Sequence, residues 1–166
     1  MIILKEKQER TLCVCFTGHR PSKLDISEKE VKSLLYQEIV KSISEGYSIF
    51  ISGMACGVDM WAAEIVILLK QEYPHIKLVA AVPFEGFEKK RSNTYKEQFY
   101  SILGQANDVA YICPQFSYGC FQKRNIWMVD HSSKVIAVWN GTKSGTKNTI
   151  DYAKKCGINT VNVYPK

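Results

Sequence analysis

Short apolar runs alternate along the chain with longer stretches in which apolar residues return at every third or fourth position. The short runs predict six strands: Thr11 to Phe16, Tyr47 to Ile51, Ile76 to Val82, Asp108 to Cys113, Lys134 to Trp139 and Asn159 to Tyr164. The stretches between them predict helices. Val31, Leu34, Leu35, Ile39 and Ile43 share one helical face up to Gly46, behind a Ser27 and Glu30 pair with the form of a capping box. Val58, Trp61, Ala62, Ile65, Leu68 and Leu69 mark a second helix, stopped near Tyr73-Pro74 because proline cannot continue it. Ser92 heads a third helix running to about Gly104, and Phe121 to Asp130 forms a fourth. A last helix follows Thr146 and runs to Cys156, with Gly157 placed to end it.

Strict alternation of strand and helix predicts an α/β fold: a three-layer, Rossmann-like open sheet, mainly parallel, of about six strands with helices on both faces. The first strand is apolar almost throughout, as a strand covered on both sides must be. At 166 residues the chain accommodates one domain, read as residues 11–166 behind an N-terminal extension of residues 1–10. In such a sheet, ligands bind beyond the carboxyl ends of the strands, so the turns there are where chemistry is sought.

Composition narrows the functional classes. With 46% hydrophobic and 23% charged residues the chain is ordinary globular material. No run approaches the roughly 18 apolar residues of a membrane span, and the first ten residues lack the apolar centre of a signal peptide. The expectation is therefore a cytoplasmic protein with no membrane partner. Six cysteines without a Cys-x-x-Cys pair argue for reduced thiols, and Cys13 and Cys15, two apart on a strand, share a face and suit packing better than zinc. His19, His75 and His131 lack metal-ligand spacing, so no metal is expected. The formal charge of +6 is modest, and its basic residues are scattered apart from the block Lys89, Lys90 and Arg91. That balance permits nucleic acid without requiring it.

Three turns after predicted strands stand out: Thr17-Gly18-His19-Arg20-Pro21, Ser52-Gly53-Met54-Ala55-Cys56-Gly57, and Ser144-Gly145-Thr146-Lys147-Asn148-Thr149. Each joins glycine to hydroxyl or basic groups. Glycine lets a ligand approach the main chain, and free N–H groups at a helix start favour an anion. A helix dipole is worth about 0.3 to 2 kcal/mol, so a phosphate site also needs side-chain cations, for which Arg20 and Arg124 are available. Other uses compete. Ser27 and Thr146 suit helix capping, Asp59 suits a first helical turn as well as it suits ribose hydroxyls, and Glu64 reads as structural. Trp61, Trp127 and Trp139 read as core, with Trp127 or Phe84 as alternatives for stacking on a base.

These same residues resemble the SLOG superfamily, the Rossmann-like group that includes DprA and the LOG phosphoribohydrolases, and within it the YpsA-like branch. The likeness rests on Thr17-Gly18-His19-Arg20-Pro21, on residues 52–59 with Ala62-Ala63-Glu64, on Arg124-Asn125 followed by Met128-Val129-Asp130, and on Ser144-Gly145-Thr146 with Thr149. It implies a nucleotide pocket at the strand ends, lined by Thr17, Gly18, His19, Arg20, Ser52, Gly53, Met54, Ala55, Gly57, Asp59, Pro83, Phe84, Arg124, Asn125, Gly141, Ser144, Gly145 and Thr146. LOG-type members cleave between base and ribose 5'-phosphate with an arginine and a glutamate. Arg124 matches the arginine, whereas Thr149 stands at the glutamate position and Lys143-Ser144-Gly145 replaces the paired glycines. An oxocarbenium-like transition state needs a carboxylate, so the resemblance points to binding before cleavage.

The leading expectation is thus a sensor or sequestering protein for a nucleotide-derived ligand, of the NAD or ADP-ribose type or a nucleoside phosphate. An N-glycosidase using Arg124, with Asp59 or Glu85 as the carboxylate, is the alternative. Single-stranded DNA binding of the DprA type, through Lys89, Lys90 and Arg91, is a second alternative. Relatives that self-associate also raise a homodimer, for which the apolar helix from Met60 to Leu69 is a candidate surface.

Overall fold

The computed structural model of the protein describes residues 7 to 165. The first six residues of the expected N-terminal extension lie outside that range, and a short helix α1 (Lys7–Arg10) precedes the first strand. Six strands follow: β1 (Cys13–Gly18), β2 (Ile49–Ser52), β3 (Lys77–Phe84), β4 (Asp108–Cys113), β5 (Lys134–Val138) and β6 (Asn159–Asn162). They form one sheet in the order β4-β3-β2-β1-β5-β6, with every neighbouring pair parallel. Five longer helices connect them: α2 (Glu28–Ser44), α3 (Val58–Leu69), α4 (Asn93–Gln105), α5 (Cys120–Asp130) and α6 (Gly145–Lys155).

Side chains alternate across the sheet as the pleat requires. Val14, Phe16 and Phe50 point into the larger core beneath α2, α3 and α4, while Cys13, Cys15, Ile49 and Ile51 point to a smaller core with Met128, Val129 and Ala153 from α5 and α6. The two cysteines therefore pack on one face, as their spacing predicts. Burial holds both thiols protonated, each pushed up to about 12. All six cysteines are free.

Helix starts follow the side-chain chemistry of their caps. Ser27 accepts from the Glu30 amide and Ser92 from the Tyr95 amide. At α6 the cap is Ser144, which accepts from Lys147, and Thr146 sits inside the first turn. The helix α3 ends at Leu69, a turn earlier than Pro74, and β3 continues through Pro83 and Phe84. Trp139 falls beyond β5, half-buried and outside both cores, where its indole donates to the Thr142 carbonyl. The apolar content of α3 is used within the chain: Met60, Trp61, Ala62, Ala63, Ile65, Val66 and Leu69 are buried, and Leu68 is exposed.

One buried cation ties β5 to α2. Lys134 on β5 is 1% exposed and donates to Glu38, Ser42 and Glu45 on or just after α2. Two carboxylates and a hydroxyl satisfy its three protons, which keeps its pKa raised against the pull of burial. Among the described residues no helix is long and apolar enough to cross a membrane.

The topology reverses between β1 and β5. Successive connections from β1 carry the chain outward through β2, β3 and β4, and the next returns it to the other side of β1. Loops leaving the carboxyl ends of β1 and β5 diverge there and leave a crevice, the place where sheets of this kind hold ligands.

Candidate functional site

A hollow of about 400 Å³ occupies that crevice. Each wall comes from a different turn. His19 leaves β1 with its amide bonded to the Val138 carbonyl at 3.1 Å, so the first turn stays pinned to the end of β5. Asn140, beyond β5, donates to the Lys23 carbonyl at 2.9 Å and ties the two turns again. Gly18 passes directly beneath α3: a Cβ there would lie 2.5 Å from Val58 Cγ2, so only a bare backbone lets the helix start this close to β1.

The second turn is held in a strained form. Met54 has a φ of 61°, in the left-handed region that side chains disfavour. Its amide donates to Ser52 Oγ at 3.2 Å, and its carbonyl accepts from the Tyr95 hydroxyl at 2.5 Å. Ser52 in turn donates to the Asp59 carbonyl at 2.8 Å. Ser52, Gly53, Met54 and Gly57 are all buried, and their part is to shape this turn from behind.

At the floor, two charged side chains converge over Gly53. Arg124 reaches across from α5, donating from Nη1 to the Gly53 carbonyl at 2.5 Å and from Nε to Asn125 Oδ1 at 3.0 Å. Asp59 Oδ2 accepts from the Ala55 amide at 3.3 Å. A Cβ on Gly53 would stand 2.8 Å from Asp59 Oδ2 and 3.0 Å from Arg124 Nε, so glycine supplies the space in which both groups meet. Burial raises the Asp59 carboxyl from 3.8 to about 6, against the opposing pull of Arg124 and the Ala55 amide. Burial likewise lowers Arg124 from its ordinary value, and Asp59 counteracts it.

Another wall of the hollow is the start of α6. Ser144, Gly145 and Thr146 line the hollow there, and the first amides of a helix have no partner within it. His19 also lines the hollow; it is 2% exposed, and its Nε2 has no hydrogen-bond partner among the described residues. Burial lowers the His19 pKa, Asn140 partly offsets this, and the Lys23 charge adds to the lowering. Arg20 and Lys23 stand at the mouth.

Of the residues named from the sequence, Thr17, Gly18, His19, Arg20, Ala55, Asp59, Arg124, Asn125, Ser144, Gly145 and Thr146 come together around this one hollow. Others do not. Pro83 is buried within β3, and Gly141 is exposed with a φ of 95° and lines no part of the hollow. Glu85 is exposed and lines a neighbouring chamber with Phe84, so it does not share a space with Arg124. Thr149, at the position of the missing glutamate, is buried and donates to the Gly145 carbonyl at 3.0 Å. Trp127 stacks on His131 at 4.0 Å in the smaller core, away from any base. Six lining residues were not assigned to this pocket from the sequence: Phe16, Lys23, Cys56, Phe87, Arg91 and Phe121. Arg91 carried a signal in the basic block, and Phe87 in the turn Pro83-Phe84-Glu85-Gly86-Phe87.

Comparison with known proteins places the fold. The YspA SLOG family profile matches residues 14–164, all six strands but for the first residue of β1. The chain belongs to the YspA SLOG family. Among its relatives, the uncharacterized SPbeta prophage-derived protein YoqJ of Bacillus subtilis is 37% identical over 118 residues, 64% of this chain and 69% of that protein. The UPF0398 protein YpsA of the same organism is 31% identical over 142 residues, 80% of this chain and 78% of the relative. In fold, this SLOG chain is similar to DNA processing protein A of Streptococcus pneumoniae, with a TM-score of 0.61 at 18% identity over 92% of the chain. It spans half the length of that protein.

Proposed function

We propose that the protein binds a nucleotide or nucleotide-derived ligand, a nucleoside phosphate or a molecule of the NAD or ADP-ribose type, in this hollow, as a sensor or sequestering protein. The observation that carries the reading is His19. A buried imidazole nitrogen without a partner is unfavourable unless something supplies one, and it lines the same space as the start of α6. A phosphate seated there meets the amides of the first turn, the Ser144 and Thr146 hydroxyls, and the charges of Arg20 and Lys23. Asp59 and Arg124, farther along, suit the hydroxyls of a sugar.

Thermal-shift titration with AMP, ADP-ribose and NAD tests this. A ligand at a hundred times its Kd is expected to raise Tm by roughly 5 to 10 °C. The exposed Arg20→Ala variant keeps its fold and loses much of that rise. A well-folded sample that responds to none of the three ligands overturns the proposal.

A second reading, N-glycoside hydrolysis, draws on one observation: a carboxyl with a pKa of about 6 lies beside Arg124 in the same hollow. Asp59, and not Glu85, is then the carboxylate that supports an oxocarbenium-like transition state. Chromatography for free base released from AMP or NAD decides it; release abolished by Asp59→Asn favours cleavage, and inertness toward both substrates removes it.

A further inference from the structure

Beside the hollow lies a second chamber of about 510 Å³, walled by Phe84, Phe87, Phe116 and Phe121. The rings meet edge to face: Phe84 with Phe87 at 5.8 Å and 89°, Phe84 with Phe116 at 5.7 Å and 74°, Phe87 with Phe121 at 5.9 Å and 69°. Edge-to-face contacts hold the rings in fixed orientations, with Phe87 buried behind and Phe116 and Phe121 toward solvent. Phe116 is 55% exposed and Phe121 40%, unusual exposure for phenylalanine, while Lys89, Lys90 and Arg91 form a basic rim.

Two features join this chamber to the hollow. Phe87, Arg91 and Phe121 line both spaces. Arg91 stands at the junction, its guanidinium 4.6 Å over the Phe87 ring. The order of the parts follows from the sheet. The start of α6 is fed by β5, His19 by β1, Asp59 and Gly53 by β2, Phe84 and Phe87 by β3, and Phe116 and Phe121 by β4, with Arg124 reaching back from α5 to Gly53. Three strand spacings separate β5 from β3, roughly 14 Å. Along that line the lining changes from amides and hydroxyls, through a carboxylate and a guanidinium, to aromatic rings. Phosphate, sugar and base are matched in turn by partners of these kinds.

We propose that the phenylalanine chamber is the nucleobase subsite of the ligand held in the hollow. The inference rests on the nucleotide reading above and deepens it: recognition extends from the phosphate to an aromatic base, so that a phosphorylated sugar alone fills the site only in part. Stacking on Phe116 and Phe121 is tolerant of base identity, and Arg91 holds the base edge and the sugar at the junction.

Calorimetry with ribose 5-phosphate and AMP, on the wild type, Phe116→Ala and Phe116→Trp, provides the test. Phe116 is half exposed, so its truncation leaves the fold intact. AMP is expected to bind at least tenfold more tightly than ribose 5-phosphate to the wild type. Phe116→Ala weakens AMP by about 5- to 150-fold without changing ribose 5-phosphate, and Phe116→Trp retains AMP. The fluorescence of ethenoadenosine monophosphate is quenched on binding to the wild type and less so by Phe116→Ala. Equal affinity for the two ligands, or equal weakening of both by Phe116→Ala, overturns the base subsite and leaves the phosphate site standing. Failure of both ligands to bind the wild type overturns the two readings together, as does binding of a thymidine oligonucleotide with no response to either small ligand.

Discussion

At the scale of single residues, Asp59 occupies an environment that disfavours its charged form. Its side chain is buried beside Arg124 with one amide as a donor, and its pKa rises from 3.8 to about 6. A carboxyl that holds its proton more tightly when folded stabilises the native state while protonated. Its contribution is therefore complete below about pH 4, declines as pH rises toward 6, and is gone above that. Two pH units correspond to about 3 kcal/mol. Asp59→Asn is expected to be more stable than the wild type at pH 7 by an amount of that order and to lose most of the slope between pH 4 and 6, as measured by urea unfolding across the range. An unchanged slope would show that another group carries it. A carboxyl perturbed in this way in a cleft is a candidate site residue. His19 and Met54 tell the same story in other terms: an unpaired buried nitrogen and a left-handed backbone, both beside the hollow.

At the scale of elements, the site depends on how closely α3 approaches β1. Gly18 faces Val58, the first residue of α3, with no room for a methyl group: its Cβ would lie within 2.8 Å of three Val58 carbons. Gly18→Ala must push the helix start outward, and Asp59, the next residue, moves with it. Overpacking of this kind costs about 1 to 3 kcal/mol, so a Tm lowered by roughly 3 to 10 °C is expected. Val58→Ala removes the opposing branches, and the double variant Gly18→Ala with Val58→Ala is expected to regain most of the loss. Calorimetric Tm values for the four proteins close the cycle; strictly additive losses would mean that the two residues do not press on one another.

At the scale of the whole molecule, solvent reaches two thiols and the fold conceals four. Cys56 and Cys156 are exposed, whereas Cys13, Cys15, Cys113 and Cys120 are buried. Native protein is expected to titrate two thiols rapidly with an aromatic disulfide reagent and all six in denaturant, and four or more fast thiols would contradict the packing. Cys56 lines the hollow, so on the nucleotide proposal AMP is expected to slow its reaction and leave Cys156 unaffected. The same distribution shows why the modest charge of +6 says little about partners: what matters is that Arg20, Lys23, Arg91 and Arg124 are gathered at one edge of the sheet.

How much of this was legible beforehand follows from the range of the forces involved. Strands and helices follow from local periodicity, because burying one face of an element imposes a repeat of two or of three to four on its own residues. Caps at Ser27 and Ser92, the shared face of Cys13 and Cys15, and the alternation that demands a parallel sheet are all properties of neighbours in the chain. Glycine turns after strands, together with the family resemblance, also pointed to the edge of the sheet at which the hollow lies. Tertiary structure alone decided the rest. That α3 is apolar because it is buried against the sheet and its neighbouring helices, that Trp139 leaves the core, that Glu85 faces a different space from Arg124, and that Phe87 and Phe121 join two chambers are consequences of strand order. Strand order is set by packing between residues tens of positions apart, and no periodicity within a segment encodes it.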